Sequence, residues 1–353
     1  MNLRVRDAMN TIPITFNESI PSYTAISGRE RNGSTGLSAV LLNRGGRFAR
    51  RRLFYELEKT GFDNVISIEP SPARYDIDEL GSRFPFVRFI LLHDEISHGE
   101  QINIAASETD SPLFFVLWND IKIIGGGNAR RMAERLTRIQ ENTESAGETR
   151  FKRLCTVPII QNSRFETIPS LIVPQDKKKI TTLYLNPSSE GLPSLYPFDW
   201  MGIYDRERFI RLGGFDSTLK NRHWQLMDFG FRAWLWGEEI TASRLLKLSY
   251  DAEVPSENSS LNTDYYRFYL KNMAPVFRGD SAHLPLRRFP GYVLKACVSR
   301  NSSGIVSAWE DFSESRQWVK KNKFRWRYSP DTVTNQWNLE TAREVIPFPE
   351  NGS

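Results

Sequence analysis

The stretch "LFFVLWNDIKIIGGG" at residues 113–127 decides how the rest of the chain is read. Its apolar run stops at Trp118-Asn119-Asp120, and Gly125, Gly126 and Gly127 follow shortly after. Strands buried on both faces of a parallel sheet read as continuous apolar runs, and ligands of such sheets bind beyond the carboxyl ends of the strands. The same pattern recurs upstream. "LSAVLLN" at 37–43 ends in Asn43, "NVISIEP" at 64–70 reaches Glu69 before Pro70, and "VRFILLHDE" at 87–95 ends in acids. Between the first two runs, "FARRRLFYELEKTG" at 48–61 carries Leu53, Phe54 and Leu57 at helical spacing and stops at Gly61. "GEQINIAASET" at 99–109 reads as a short helix. Apolar strands alternating with helices predict βαβ units, and so an α/β fold with a parallel sheet covered on both faces. Asn43, Glu69 and Asp120 are then expected on one edge, because each ends a strand that runs the same way.

Further along, "NARRMAERLTRIQENTESAGETR" at 128–150 predicts an amphipathic helix and "TVPIIQN" at 156–162 another strand. "SLYPFDWMGIYDRERFIRLGGFD" at 194–216 joins an aromatic segment to a helix ending at Gly213-Gly214, and "HWQLMDFGFRAWLWGEEI" at 223–240 predicts an aromatic helix. Residues 1–35 read as an N-terminal arm, 36–255 as the main domain and 256–353 as a C-terminal extension.

A chain of 353 residues buries roughly 75% of its unfolded surface and needs no staples. The net charge of +5 suits anionic ligands such as nucleotides, or an acidic membrane face. That charge is spread evenly, with no zinc-finger spacing, homeodomain pattern or long basic arm, so no nucleic-acid partner is expected. Cys155 and Cys297, far apart, fit a reducing compartment and exclude a Cys-rich metal site. No apolar run reaches the ~18 residues of a spanning helix, and "MNLRVRDAMNTIPITFNESIPS" has no apolar signal core. The expectation is a cytoplasmic protein, with the inner face of a membrane as a candidate peripheral contact. His93, His98, His223 and His283 show no ligand spacing and read as surface or packing residues.

In this order, "LSAVLLNR", "VISIEP", "HGEQINIAAS", "LFFVLWND" and "GIYDRERFIRLGGFD" followed by "WQLMDFGFRAWLWGEEI" resemble the nucleotide-sugar glycosyltransferases of the GT-A fold, of the large inverting family 2 type. The resemblance implies a Rossmann-type mixed sheet flanked by helices, with transfer of a sugar from a nucleoside-diphosphate sugar to a glycan, lipid or protein acceptor. It implies that Asn43 and Arg44 wrap the nucleoside and that Glu69 contacts base or ribose. The family's fourth strand ends in Asp-x-Asp, whose carboxylates hold a divalent metal. Here those positions are Trp118, Asn119 and Asp120, which leaves Asp120 as the ligand for Mn²⁺ or Mg²⁺ and Asn119 as a donor-side contact. The Glu-Asp pair that supplies the family's catalytic base is replaced by Gln225 and Leu226, and no His follows in "SYDAEVPSEN" at 249–258.

The chemistry weighs these changes. A leaving diphosphate needs cationic charge against it, and a single Asp can serve Mg²⁺ together with phosphate oxygens and water. Arg44 or Arg47 could supply charge instead. The acceptor hydroxyl needs a base, worth about 10²–10⁴ in rate. Asp199, Asp216 and Asp228 are the candidates, with Asp228 nearest the lost pair, and Asp199 and Trp200 are expected on the acceptor side. The alternative for Asp228 is an ion pair with Arg232 four residues on. Two other functions stay open. A catalytically degenerate glycosyltransferase fold kept for binding or scaffolding fits the losses at Trp118, Gln225 and Leu226. A nucleotidyltransferase half fits "NRGGRFARRR" after the first strand.

Overall fold

A computed structural model describes residues 21–28, 31–44, 50–69, 76–124, 128–145, 152–176, 180–250, 258–299, 305–335 and 337. The strands are β1 (Tyr23–Ser27), β2 (Leu37–Leu42), β3 (Val65–Glu69), β4 (Val87–Leu92), β5 (Leu113–Trp118), β6 (Lys122–Ile123), β7 (Lys152–Gln161), β8 (Leu171–Asp176), β9 (Ile180–Leu185), β10 (Gly202–Asp205), β11 (Glu238–Ser249), β12 (Val276–Arg278) and β13 (Ser281–His283). The α-helices are α1 (Arg50–Thr60), α2 (Ile77–Arg83), α3 (His98–Glu108), α4 (Ala129–Ser145), α5 (Arg206–Leu212), α6 (Arg222–Leu235), α7 (Thr263–Phe268), α8 (Phe289–Ser299), α9 (Ile305–Asn322) and α10 (Pro330–Asn335). Nine strands form one mixed sheet in the order β1-β4-β3-β2-β5-β10-β7-β11-β6, flanked by helices.

The chain divides into two compact units. The first comprises Met1–Asn119, Gly127–Thr137 and Ile203–Lys220. Within it β2 pairs in parallel with β3 and with β5, and β3 pairs in parallel with β4. All residues of β2 and β3 are buried, which explains their unbroken apolar character. The segment read as an arm contributes β1, an edge strand antiparallel to β4. Helix α3 starts with a reciprocal capping box, Ser97 Oγ accepting from Glu100 N–H while the Glu100 side chain accepts from Ser97 N–H. Asn103 of α3 clamps the "GGFD" turn. Its Nδ2 donates to Phe215 O (2.8 Å) and its Oδ1 accepts from Phe215 N (2.9 Å). Gly213, at φ 93°, ends α5 in the left-handed conformation that glycine adopts without steric cost.

The second unit comprises Asp120–Gly126, Arg138–Gly202 and Asn221–Ser353. There β11 runs parallel to β7 and antiparallel to β6, and β8–β9 and β12–β13 are hairpins. Every residue of α6 from His223 to Leu235 is buried. Gly230 lets α6 lie against the chain at Leu195, since a Cβ there would stand 2.3 Å from Leu195 O. The helix expected over 223–240 is shorter than its aromatic run suggests. It ends at Leu235, Gly237 turns at φ 83°, and Glu238 already begins β11. Within the segment read as a C-terminal extension, α7 to α10 form. Among the described residues no helix is long and apolar enough to cross a membrane.

The entry to β2 is fixed by one buried carboxylate. Asp63 accepts from Thr35 N–H, from Thr35 Oγ1 (3.0 Å), from Gly36 N–H (3.0 Å) and from Ser111 Oγ (3.0 Å). Replacing Asp63 by Ala removes the acceptor of four hydrogen bonds, one of them from the buried Ser111 hydroxyl. The expected cost is about 3 kcal/mol of stability, read as a lower urea midpoint with an unchanged slope.

Candidate functional site

In the first unit the parallel register brings several of the expected residues together. Leu42 lies opposite Ile68 on one side and Trp118 on the other, so β2, β3 and β5 end on the same edge. One residue beyond β2, Asn43 Nδ2 donates to Ile68 O at 2.6 Å and reaches Ser67 Oγ at 3.3 Å and Glu69 Oε1 at 3.4 Å. Glu69 Oε1 also accepts from Ser67 Oγ (2.8 Å), and its Oε2 pairs with Arg50 Nη2 at 2.5 Å. Arg50 in turn reaches Asp76 at 3.3 Å. Glu69 is a buried carboxylate, its side chain 4% exposed, and desolvating it is offset by a charged partner and by hydrogen bonds to both oxygens.

The next residue, Arg44, is held at both ends. Its N–H donates to Asn119 Oδ1 at 3.1 Å, and its guanidinium lies 4.4 Å from the centroid of the Trp118 ring. Trp118 is buried, and His98 at the start of α3 packs edge-on against it with centroids 5.0 Å apart. The packing role expected of His98 is therefore the one observed. Asp120, the next residue after Asn119, is exposed and opens the segment Asp120–Gly126 assigned to the second unit. Gly125–Gly127, Gly45, Gly46 and Arg47, with residues 251–257, lie outside the described residues.

A divalent ion was expected at Asp120, which is exposed and is the one carboxylate among the three positions Trp118, Asn119 and Asp120. The Asn119 oxygen is turned to the Arg44 N–H. A permanent cation, the Arg44 guanidinium, stands over the face of Trp118. Among the described residues no three His, Cys, Asp or Glu side chains are grouped to hold a metal.

The second unit holds the residues expected near the acceptor. Asp199 and Trp200 sit in a one-turn helix, Phe198–Trp200, with φ of 50° and 59°. Consecutive non-glycine residues in the left-handed region carry a strain that the surroundings must over-determine. Arg222, the first residue of α6, does this. Its Nη2 pairs with Asp199 Oδ1 at 2.5 Å and its guanidinium lies 4.6 Å from the Trp200 ring centroid. Sequence reasoning missed Arg222. The signal was there, since a cation in the first turn of a helix opposes the macrodipole and so points to a partner outside the helix.

None of the acids considered as the base stands open to an acceptor. Asp199 is tied to Arg222 and its side chain is fully buried. Asp216 is buried and closes a turn by accepting from Thr218 N–H and Oγ1 at 2.9 and 2.8 Å. Asp228, the residue expected to be catalytic, has no exposed surface. Its Oδ2 accepts from Arg232 Nη2 at 2.8 Å, and its Oδ1 takes Asn272 Nδ2 at 2.8 Å and Lys271 Nζ at 3.0 Å. Burial alone would raise its pKa, but Lys271 and Arg232 overcome burial and hold it down at about 2. A carboxylate so placed is a poor proton acceptor at neutral pH. The geometry supports the ion-pair reading, extended by Lys271 and Asn272 from the π-helical turn Tyr269–Met273, which the sequence did not point to.

Neither a protein-family model nor a curated protein matches the sequence. Solved structures do resemble it. The crystal structure of GalNAc-T7 with UDP, GalNAc and Mn²⁺ superposes with a TM-score of 0.53 at 12% identity, covering 90% of this chain and 57% of that one. The chain thus spans little more than half the length of that protein. The crystal structure of S. aureus TarS 1–349 in complex with UDP matches at a TM-score of 0.43 and 11% identity, covering 79% of this chain and 70% of that one, too loose a likeness to argue from. At such identities the likeness to GalNAc-T7 is one of fold: the chain has a GT-A-like glycosyltransferase fold.

Asp228→Asn keeps the shape and removes the charge that Arg232 and Lys271 share. Leaving those cations buried without it is expected to cost on the order of 3–5 kcal/mol in chemical denaturation. The sign with pH follows from the depressed pKa. The wild-type contribution is complete above the ordinary carboxylate value near ~4 and disappears as pH falls through about 2. Acid titrations of the two proteins should therefore converge at the low end, and a constant offset down to pH 2 would contradict the charge reading.

Proposed function

We propose that this chain is a glycosyltransferase that binds a nucleoside-diphosphate sugar at the strand edge carrying Asn43, Arg44, Glu69 and Asn119, within a catalytic region spanning residues 36–255. The observation that carries the reading is the parallel register of β2, β3 and β5, which delivers a buried carboxylate, an amide and a guanidinium to one edge. Carboxyl ends of parallel strands are where such folds take nucleotides. The GalNAc-T7 structure of related fold was solved with UDP, GalNAc and Mn²⁺. Glu69 and Asn43 would recognise the nucleoside, as a carboxylate suits ribose hydroxyls or base N–H groups. The acceptor is a glycan, a lipid or a protein.

One set of observations favours a second reading, a glycosyltransferase fold that binds its donor without turning it over. Gln225 and Leu226, where the resemblance expects the base, are buried in α6, and Asp199, Asp216 and Asp228 are each engaged elsewhere. Binding needs no base, whereas transfer without one is slower by about 10²–10⁴.

Calorimetric titration of the purified chain with UDP and GDP, followed by release of free UDP or GDP from their sugar conjugates, separates these readings. Micromolar binding with turnover supports the enzyme, and binding with no release in any condition supports the binding protein. No affinity for either nucleotide refutes both. Glu69→Gln should weaken nucleotide binding about tenfold, the value of one charge-assisted hydrogen bond, with the circular dichroism spectrum unchanged.

A further inference from the structure

We propose that the exposed side of residues 286–294, with Trp309 beside it, is a peripheral docking surface for an anionic phospholipid bilayer. The inference goes beyond the donor site and lies wholly in the second unit.

Between Asp280 and Glu310 the sequence holds no acid. Residues 281–309 carry Arg287, Arg288, Lys295 and Arg300, which is +4 of the chain's formal +5. The net charge, expected to be spread evenly, is therefore concentrated in one stretch. Apolar surface gathers in the same place. Of the eight large apolar side chains exposed among the described residues, Leu286, Leu294, Val306 and Trp309 fall within this stretch, at 51, 70, 72 and 48% exposure.

The local structure explains that exposure. A one-turn 3-10 helix, Leu286–Arg288, leads directly into α8, and Leu286, Arg287, Arg288, Pro290, Gly291 and Leu294 are all exposed. Positions 290, 291 and 294 share one face of α8, being one turn apart. The other face is anchored. Tyr292 is buried, and the rings of Phe289 and Tyr292 meet Phe312 of α9 at 5.2 and 6.2 Å. Phe289 also meets Trp309 edge-on at 5.1 Å, which places that half-exposed indole beside the basic turn. Two of the three acids of α9, Asp311 and Glu314, are taken up by Arg267 at 3.4 and 3.1 Å. Among the described residues no carboxylate pairs with Arg287 or Arg288.

Charge selects the occupant. At a bilayer surface apolar side chains enter the acyl boundary, Arg side chains reach lipid phosphates, and Trp favours the interface between them. Leu286 and Leu294, Arg287 and Arg288, and Trp309 supply all three. The core of a protein–protein interface is depleted of charge, and two adjacent arginines there would need carboxylates from the partner. An acid-free basic turn flanked by exposed leucines fits anionic headgroups without that requirement.

Flotation of the full chain with vesicles tests this, using phosphatidylcholine alone and phosphatidylcholine mixed with phosphatidylglycerol. The chain should float with the mixed vesicles, stay behind with the neutral ones, and be released by raised salt. The double variant Arg287→Ala, Arg288→Ala should bind the mixed vesicles about 30-fold more weakly, the worth of two basic side chains at an anionic surface. Leu294→Asp should weaken binding about tenfold or more. These side chains are exposed, so thermal melts of both variants should match the wild type, as should their titrations with UDP. No flotation, equal flotation with both vesicle types, or flotation that neither variant changes overturns the proposal. A dimer in solution that Leu294→Asp dissociates, with no flotation, reassigns the surface to a second copy of the chain and overturns it too. Flotation by a chain that binds no nucleotide leaves the proposal standing while the donor reading falls.

Discussion

Because β2 pairs in parallel with β3 on one side and β5 on the other, the chain leaves all three strands at one edge. That constraint does more to define the candidate site than any single residue. A parallel pair cannot be closed by a hairpin, so each strand must hand its end to a loop and return through a helix. Whatever polar groups follow Leu42, Ile68 and Trp118 are therefore gathered without further design. The helices then set details. Capped at Ser97, α3 brings His98 against Trp118, and α1 carries Arg50 to Glu69.

The second unit obeys a different constraint. Helix α6 has no wet face, so its charged residues must be neutralised inside the protein. Asp228 and Arg232 lie one turn apart and pair, and Lys271 and Asn272 occupy the other carboxylate oxygen. Lys271 is itself placed over Trp318, 4.6 Å from the ring centroid. A carboxylate spent on this network is unavailable for proton transfer. The same burial explains Leu226, which fits a helix enclosed on every side, whereas a catalytic acid at that position would need an opening that α6 lacks.

Legibility followed burial. The strands β2 to β5 announced themselves because both faces are covered, and a short apolar run bounded by polar residues suits a covered strand better than a half-wet one. Strand β1 has no fully buried residue, so "YTAIS" carried no such signal and was absorbed into an arm. The end of α6 was misplaced because Trp234, Leu235 and Trp236 continue its aromatic pattern into the turn, and only the left-handed Gly237 marks the change to β11. Helix α9 mixes acids, bases and aromatics around its circumference and gives a weak period. At the site, Asn43 and Glu69 were legible as strand-end residues, whereas Arg50 and Arg222 were not. Their importance lies in partners distant in sequence, Glu69 and Asp199, which no local pattern encodes.

The polar edge of the first unit also bears on whether a strand end of this kind serves folding alone. A buried ion pair is weak evidence of stabilisation, since desolvating both partners commonly cancels their attraction, and well-packed apolar residues would do as well or better. The Glu69–Arg50 pair, with Asn43 and Ser67 arranged around the same carboxylate, is thus hard to justify by stability. A strand end that only had to stop could do so with a capping glycine or a solvated polar side chain. Four polar side chains converging on one edge, beside a cation stacked on indole, form instead a network whose orientation the fold sets. Preorganisation of that kind lowers the entropic cost of binding a polar, flexible molecule, and that benefit accrues to recognition whether or not a base stands ready to complete a transfer.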